Sequence, residues 1–411
     1  MRKLCVVLLD GLGDRAYPEL GGGTSNEVAR TPVLDALCRD GSCGLLWPLG
    51  RGRVPASELA HWAMLGMLPE EFPGRAVLEA RGHGLELRAD AVYGYAALRT
   101  VSVEAGRCLV TGRDRDPELP PEHPLRRPVA VDGLSFTPFP VGGGEAVLEV
   151  AGPGAEDGVT DTDPFFRERD PLLEPLPCRP EATAMAAALG RWTRGTLGEG
   201  RVVTTKWWGR VRPTASFAER HGLAGALVAG SPFLVGLAET VGLEPLPVPD
   251  TGDVAADLGA RLEAAAAVLA GEATFAWVHT KAVDEAGHTK DPARRVAMIE
   301  LLDPILAALR EPSFADVVVC VTGDHATPCA PELIHSGDPV PFVLHGPGVR
   351  ADRVAAFGEL TCAEGMLGHL TGTDVMPLLL NAADRAVFAG SRPSPVCAPA
   401  GHPRPRPLEV S

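Results

Sequence analysis

Five apolar runs of strand length, each ending abruptly in a polar or glycine-bearing turn, constrain this 411-residue chain more than any other feature. Leu4–Leu9 leads into Asp10-Gly11-Leu12-Gly13, Ala224–Val228 into Ala229-Gly230-Ser231, and Phe275–Val278 into His279-Thr280-Lys281. Val317–Val321 leads into Thr322-Gly323-Asp324-His325, and Pro341–Leu344 into His345-Gly346. Runs without polar alternation suit strands covered on both faces, as in a parallel sheet. Helical patterns separate them, at Thr31–Cys38, Leu59–Leu65, Phe233–Val241, Val254–Leu269, Arg294–Leu309 and Val375–Leu380. The alternation predicts an open, doubly wound α/β sheet, whose ligands collect beyond the carboxyl ends of its strands.

The middle of the chain has another texture, shorter, Pro-rich and less helical. It predicts a smaller α+β insertion over 91–202, interrupting a sheet domain made of 1–90 and 203–390. Residues 391–411 hold six prolines without periodicity and read as a mobile tail. Lys plus Arg number 38 against 53 Asp plus Glu, a net charge of −15, so nucleic acid is not an expected partner. No apolar run is long enough to span a bilayer, which excludes a membrane partner of that kind. The run after Arg2-Lys3 is too short for a secretion signal. Nine scattered cysteines without CxxC pairs argue against a disulfide framework or a Cys-based zinc site and for reduced thiols in a cytoplasm.

Chemistry-bearing residues gather at the predicted strand ends. In His279-Thr-Lys-Ala-Val-Asp284-Glu-Ala-Gly-His288, Asp284 and His288 stand four apart and can face one point. Asp324-His325 follow another strand and Asp10 a third. Ser57, before the helical run Leu59–Leu65, stands where an N-cap stands. A hydroxyl there also feels the positive end of the helix dipole, and beside a divalent ion it can become a nucleophile. His335 precedes a fifth strand. As a set, Asp10, Ser57, Asp324 and His325 can surround one ion, and Asp284, His288 and His335 a second. Mixed carboxylate and imidazole donors suit Mn²⁺ or Zn²⁺. Two adjoining ions favour phosphoryl transfer.

The stretches VVLLDGLGDR, ARTPVLDAL, GSCGLLWPLG, SELAHWAMLG, ARGHGLEL, TDTDP, HTKAVDEAGH and VTGDHATPCAPELIHSGDPVPFVLHGPGVRAD, followed by GTDVMPLLL, resemble the archaeal-type cofactor-independent phosphoglycerate mutases of the alkaline phosphatase superfamily. The resemblance implies an alkaline-phosphatase-like sheet domain with an insertion. It also implies two manganese or zinc ions, a phosphorylated Ser57, the two ligand sets above, and exchange of a phosphoryl group between the 3- and 2-positions of glycerate. The expected partner is a small phosphorylated acid. The insertion departs from the family pattern. Thr205-Lys206-Trp207-Trp208-Gly209-Arg210 replaces an Arg-Gly-Ala-Gly stretch, and Phe165 stands where a histidine follows TDTDP. The candidate anion holders are Arg75, Arg113, Arg115, Lys206, Arg210 and Arg212, with Lys281 for phosphate and His279 behind a metal ligand. Two other readings remain open: a phosphomutase or phosphatase for another phosphate or phosphonate ester, and a non-catalytic metal-binding relative.

Overall fold

The chain is described by a computed structural model over residues 2–114, 119–165, 169–386, 388 and 408. Arg115 and, apart from Leu408, the 391–411 tail lie outside the described residues. The strands are β1 (Lys3–Leu9), β2 (Ser42–Trp47), β3 (Val92–Glu104), β4 (Arg107–Arg113) and β5 (Val129–Val131). They continue with β6 (Leu134–Gly142), β7 (Glu145–Ala151), β8 (Arg201–Gly209), β9 (Gly225–Ala229) and β10 (Glu244–Pro247). The last four are β11 (Phe275–Thr280), β12 (Val317–Thr322), β13 (Val340–His345) and β14 (Gly368–Thr371).

Apart from half-buried Lys3 and the polar residues at the ends of β11 and β12, strands β1, β11 and β12 are apolar on both faces and buried, and they lie centrally in an eight-stranded sheet of order β10-β9-β11-β1-β12-β13-β2-β14. β1 pairs parallel with β11 and with β12, and β11 pairs parallel with β9. Because these strands are parallel and in register, their carboxyl ends converge: Leu8 stands opposite His279 on one side and Thr322 on the other. The sheet is mixed rather than purely parallel. β13 runs antiparallel to both β12 and β2, since a single loop, not a crossover helix, joins β12 to β13.

The predicted helix Arg294–Leu309 is also divided. An α-helix spans Pro292–Leu302 and a 3-10 helix spans Asp303–Arg310. Pro304 has no N–H to continue the α-ladder. No helix among the described residues is long and apolar enough to cross a membrane.

The chain divides into two compact units, one of Met1–Leu68, Leu223–Val228 and Val248–Ser411, the other of Pro69–Gly222 and Ala229–Pro247. The second unit therefore contains the 91–202 segment and extends beyond it. It takes in the helix Arg75–Gly82, which packs on the helix Pro232–Val241, on β3 and on β8. Its six-stranded antiparallel sheet runs β4-β3-β7-β6-β5, with β8 also paired to β3. The helix Thr183–Gly195, within the stretch read as poorly helical, contributes Met185, Leu189 and Trp192 to the core. Trp192 stacks on Phe136 with ring centroids 5.5 Å apart.

Candidate active site

In the first unit, the strand ends bring the chemistry together. Asp10 follows β1, His279 lies in β11, and Asp324 and His325 follow β12. Asp284 and His288 share the helix Ala282–His288, and His335 stands in the loop before β13. Close approach of these segments requires Gly11. It holds φ +69°, and a Cβ there would meet Thr327 Oγ1 at 2.6 Å and Asp284 Cα at 2.8 Å.

Ser57 is not an N-cap. Ala56 occupies that position, and Ser57 is the first residue of the helix Ser57–Met64. Its hydroxyl is therefore not spent on capping, and Oγ lies 3.0 Å from His325 Nε2. His325 Nε2 is also 3.2 Å from Asp10 Oδ1 and 3.3 Å from Asp324 Oδ2. On the other side, Asp284 Oδ1 is 3.2 Å from His288 Nε2 and 3.7 Å from His335 Nε2. Thr327 ties the two groups, donating to Asp284 Oδ1 at 2.7 Å and lying 3.1 Å from His325 Nδ1.

The expected sets thus assemble with one change. Asp10, Asp324 and His325 form one tight group of ligand atoms and Asp284, His325 and His335 another, so His325 stands at both. Its ring stacks on that of His335, centroids 3.6 Å apart. The His288 side chain is partly exposed beside Asp284.

The electrostatics describe a group short of positive charge. Burial pushes the Asp10 carboxyl well up, with repulsion from Asp324 and Asp284 added. Burial works the same way on Asp284, but the hydrogen bond from His288 and the neighbouring His325 outweigh it and hold that carboxyl low. His325, His279 and His335 are all pushed down, chiefly by burial, which keeps the imidazoles neutral donors. Asp10 Oδ1 and Asp324 Oδ2 are buried without a hydrogen-bond partner among the described residues. Orphaned carboxylate oxygens beside neutral imidazoles fit divalent cations, since a buried anion without a countercharge costs several kcal/mol.

Supporting residues complete the group. His279 Nε2 is 3.1 Å from Asp10 Oδ2, as a residue orienting a ligand should be. Lys281 is exposed at the N-terminal edge of the Asp284 helix and favours ionised Asp10.

Two residues escaped the sequence reading. His61 is buried with Nε2 3.7 Å from Asp324 Oδ2 and its ring 5.4 Å from that of His279. Its signal was its place four residues after Ser57, on the same helical face. Arg295, fully buried, shares Nη2 among the carbonyl oxygens of Gly11, Leu12 and Gly13 at 2.8–2.9 Å. It also donates to Thr327 O at 2.9 Å and sets Nε 3.2 Å from Asp14 Oδ2. One guanidinium thereby fixes the turns that carry Asp10 and follow His325.

The second unit holds a group of opposite sign. Strand β8 bulges against β3: Tyr93 faces Gly209 while Tyr95 faces Lys206. Trp207, in the bulge, has φ +64°, and Phe165 has φ +56°. Such backbone costs a non-glycine residue about 1 kcal/mol or more and clusters at ligand sites. Trp207 stands between two cations, with Lys206 Nζ 3.9 Å and Arg75 Cζ 4.0 Å from its ring. Tyr95 and Phe165 also wall Lys206.

Lys206 is 5% exposed, and its ammonium has no hydrogen-bond or ion-pair partner among the described residues. Burial pushes it down to about 8; Asp163 opposes this, and Arg99, Arg75 and Arg113 reinforce it. Asp163 is itself held by Arg99 at 2.8 Å and by Thr204 at 2.7 Å. The other cations are engaged differently. Arg75 pairs with Glu79, Arg210 donates to Ala155 O and approaches Glu156, and Arg212 pairs with Asp157. Arg113 ends β4 opposite Arg99.

Comparison with known proteins places the chain in a family. A sequence model of the Metalloenzyme superfamily matches residues 2–382. The 2,3-bisphosphoglycerate-independent phosphoglycerate mutase of Methanoculleus marisnigri is 35% identical, over 93% of this chain and 98% of its own. That of Methanocaldococcus jannaschii, numbered 2, is 32% identical over 95% of each. Among solved structures, the cofactor-independent phosphoglycerate mutase of Thermoplasma acidophilum is 26% identical, with TM-score 0.62, over 93% of this chain and 100% of its own. A protein of Pyrococcus horikoshii is 25% identical, with TM-score 0.73, over 95% and 99%. The chain belongs to the Metalloenzyme superfamily and, within it, to the 2,3-bisphosphoglycerate-independent phosphoglycerate mutases.

Proposed function

We propose that this protein interconverts 3-phosphoglycerate and 2-phosphoglycerate through a phosphorylated Ser57. The observation that carries the reading is the Ser57 hydroxyl, free of capping and 3.0 Å from His325 Nε2 among orphaned carboxylates. Asp10, Ser57, Asp324 and His325 are assigned to one divalent ion, and Asp284, His288 and His335 to a second, Mn²⁺ or Zn²⁺. When bound, such ions supply the positive charge that favours a serine alkoxide and neutralises phosphoryl oxygens.

The chain's own residues do the rest. The helix N-terminus favours negative charge at Ser57. His279 holds Asp10 in place. Ser57 accepts the phosphoryl group from one hydroxyl of the glycerate, and the other hydroxyl of the same molecule takes it back. One ester bond is broken and one formed in each half, and no phosphate is released. Lys206, Arg75 and Arg113 are assigned to the substrate's anionic groups and Lys281 to the phosphoryl group.

A second reading, a phosphomutase or phosphatase for another small phosphate or phosphonate ester, is favoured by the aromatic walls around Lys206. The test is turnover of 3-phosphoglycerate by protein loaded with Mn²⁺ or with Zn²⁺, following 2-phosphoglycerate and free phosphate together. The expected result is 2-phosphoglycerate without phosphate, and silence from Ser57→Ala. Free phosphate alone would replace the mutase with the second reading. Silence from the parent as well as from Ser57→Ala would leave only the non-catalytic relative.

A further inference from the structure

Three cysteines far apart in the chain meet in the first unit, away from the strand-end cluster in sequence and in donor chemistry. Cys38 lies in the last turn of the helix Pro32–Arg39, Cys43 in β2, and Cys362 ends the short helix Glu359–Cys362. Each is 0% exposed, and their sulfur atoms lie within 4.8 Å of one another. Linear spacing does not register this set, because the fold, not a CxxC turn, closes it.

The geometry selects a class of ligand. Sulfurs bound to one ion at a metal–thiolate length of ~2.3 Å stand about 4 Å apart when three surround it in a plane. The three sulfurs, within 4.8 Å of one another, are close enough to take up that arrangement. Among the described residues, no histidine nitrogen or carboxylate oxygen joins them as a fourth donor. Structural zinc requires four ligands. A set of sulfurs alone, with three members, suits a soft monovalent cation.

We propose that Cys38, Cys43 and Cys362 form a three-coordinate thiolate site for a soft monovalent cation of the copper(I) class. Each sulfur that ligates releases its proton to solvent, and copper enters and leaves as Cu(I), so no electron is exchanged. Occupancy braces the helix Glu359–Cys362. Glu359 in that helix accepts from Asp14 N at 3.2 Å, Thr24 Oγ1 at 2.6 Å and Asn26 Nδ2 at 2.7 Å. A bound ion therefore stabilises the folded chain by mass action.

The experiment is an anaerobic titration of the full chain, preloaded with Mn²⁺, using Cu(I) in competition with a chromogenic Cu(I) chelator. One Cu(I) per chain is expected, with thiolate-to-copper absorption in the ultraviolet and a raised Tm. Cys362→Ala and Cys43→Ala should each weaken retention at least about 10-fold. Replacement of Cys178, which is exposed, should change nothing. No uptake by the parent overturns the proposal. So does unchanged uptake by a Cys362→Ala protein that circular dichroism shows to be folded, or recovery of a disulfide between two of the three in place of copper. Should both alanine variants fail to fold, X-ray absorption on the copper-loaded parent decides. Three sulfur neighbours uphold the site, and oxygen or nitrogen neighbours refute it.

Discussion

The two charged groups of this protein are built in opposite ways. The first unit gathers carboxylates and imidazoles on the ends of parallel strands, where regular hydrogen bonding sets their spacing. The second gathers cations around Trp207 on a bulge, where the regular ladder fails. The first group repels itself until positive charge arrives. The second holds an unpaired ammonium until negative charge arrives. In a chain of net charge −15, this small region of the second unit gathers Lys206, Arg75, Arg99 and Arg113. On the proposed function, the chemical step is anchored in the regular sheet, while recognition is placed where backbone strain can re-aim side chains.

The largest expected effect tests the first group. Ser57→Ala should lower kcat by about 10³-fold or more, with metal content nearly kept, because the nucleophile is lost and most ligands remain. Retained turnover would move the chemistry elsewhere.

Next, Arg295→Met should destabilise the fold by about 3–5 kcal/mol, read by chemical denaturation, because it leaves Asp14 buried and unpaired. A small loss would mean that the turns hold themselves.

A third substitution separates stability from function. Asp10→Asn should cost the protein metal and activity, yet stabilise the metal-free form by about 1–2 kcal/mol at neutral pH. The sign follows from the raised carboxyl of Asp10. The stability its protonated form gives is present below the ordinary carboxylate range and is lost as pH climbs through its elevated folded value. Asn removes that loss, so melting curves of the metal-free proteins should diverge with rising pH.

The smaller effects test the second group. Lys206→Met should raise KM about 10-fold with little change in kcat. In the parent, KM should rise as pH passes about 8, where the ammonium loses its charge. Lys206→Arg should flatten that dependence, since guanidinium stays charged. A kcat effect in place of a KM effect would put Lys206 in the chemistry rather than the grip.

The same contrast decides what the sequence made readable. Asp10, Asp324 and His325 could be found because each interrupts an apolar run, and Asp284 with His288 because helical spacing puts them on one face. Ser57 was placed one position early in its helix, since a serine before an apolar run reads as a cap whichever residue takes that place. The antiparallel course of β13 was hidden because an apolar strand carries no arrow. Pro304 was the visible sign that Arg294–Leu309 would break. The group around Lys206 was not readable as a unit. Nothing in Lys-Trp-Trp announces a bulge, and the partnership of Arg99 with Asp163 joins segments that only the fold brings together. Arg295 reads in sequence as a surface cation on a helix; only tertiary structure makes it a hub.

Arg295 also sets an order of events during synthesis. Its carbonyl partners are at Gly11, Leu12 and Gly13 near one end of the chain and at Thr327 far toward the other. Translation proceeds from the first residue, and a ribosome that has not yet released residue 327 has made the Asp10 turn without the segment that completes its clamp. The nascent chain must therefore carry a loose Asp10 turn through most of its elongation. The ligand set assigned above is complete only once His335 has been made, so on the proposed function ion capture by the whole site falls late in synthesis.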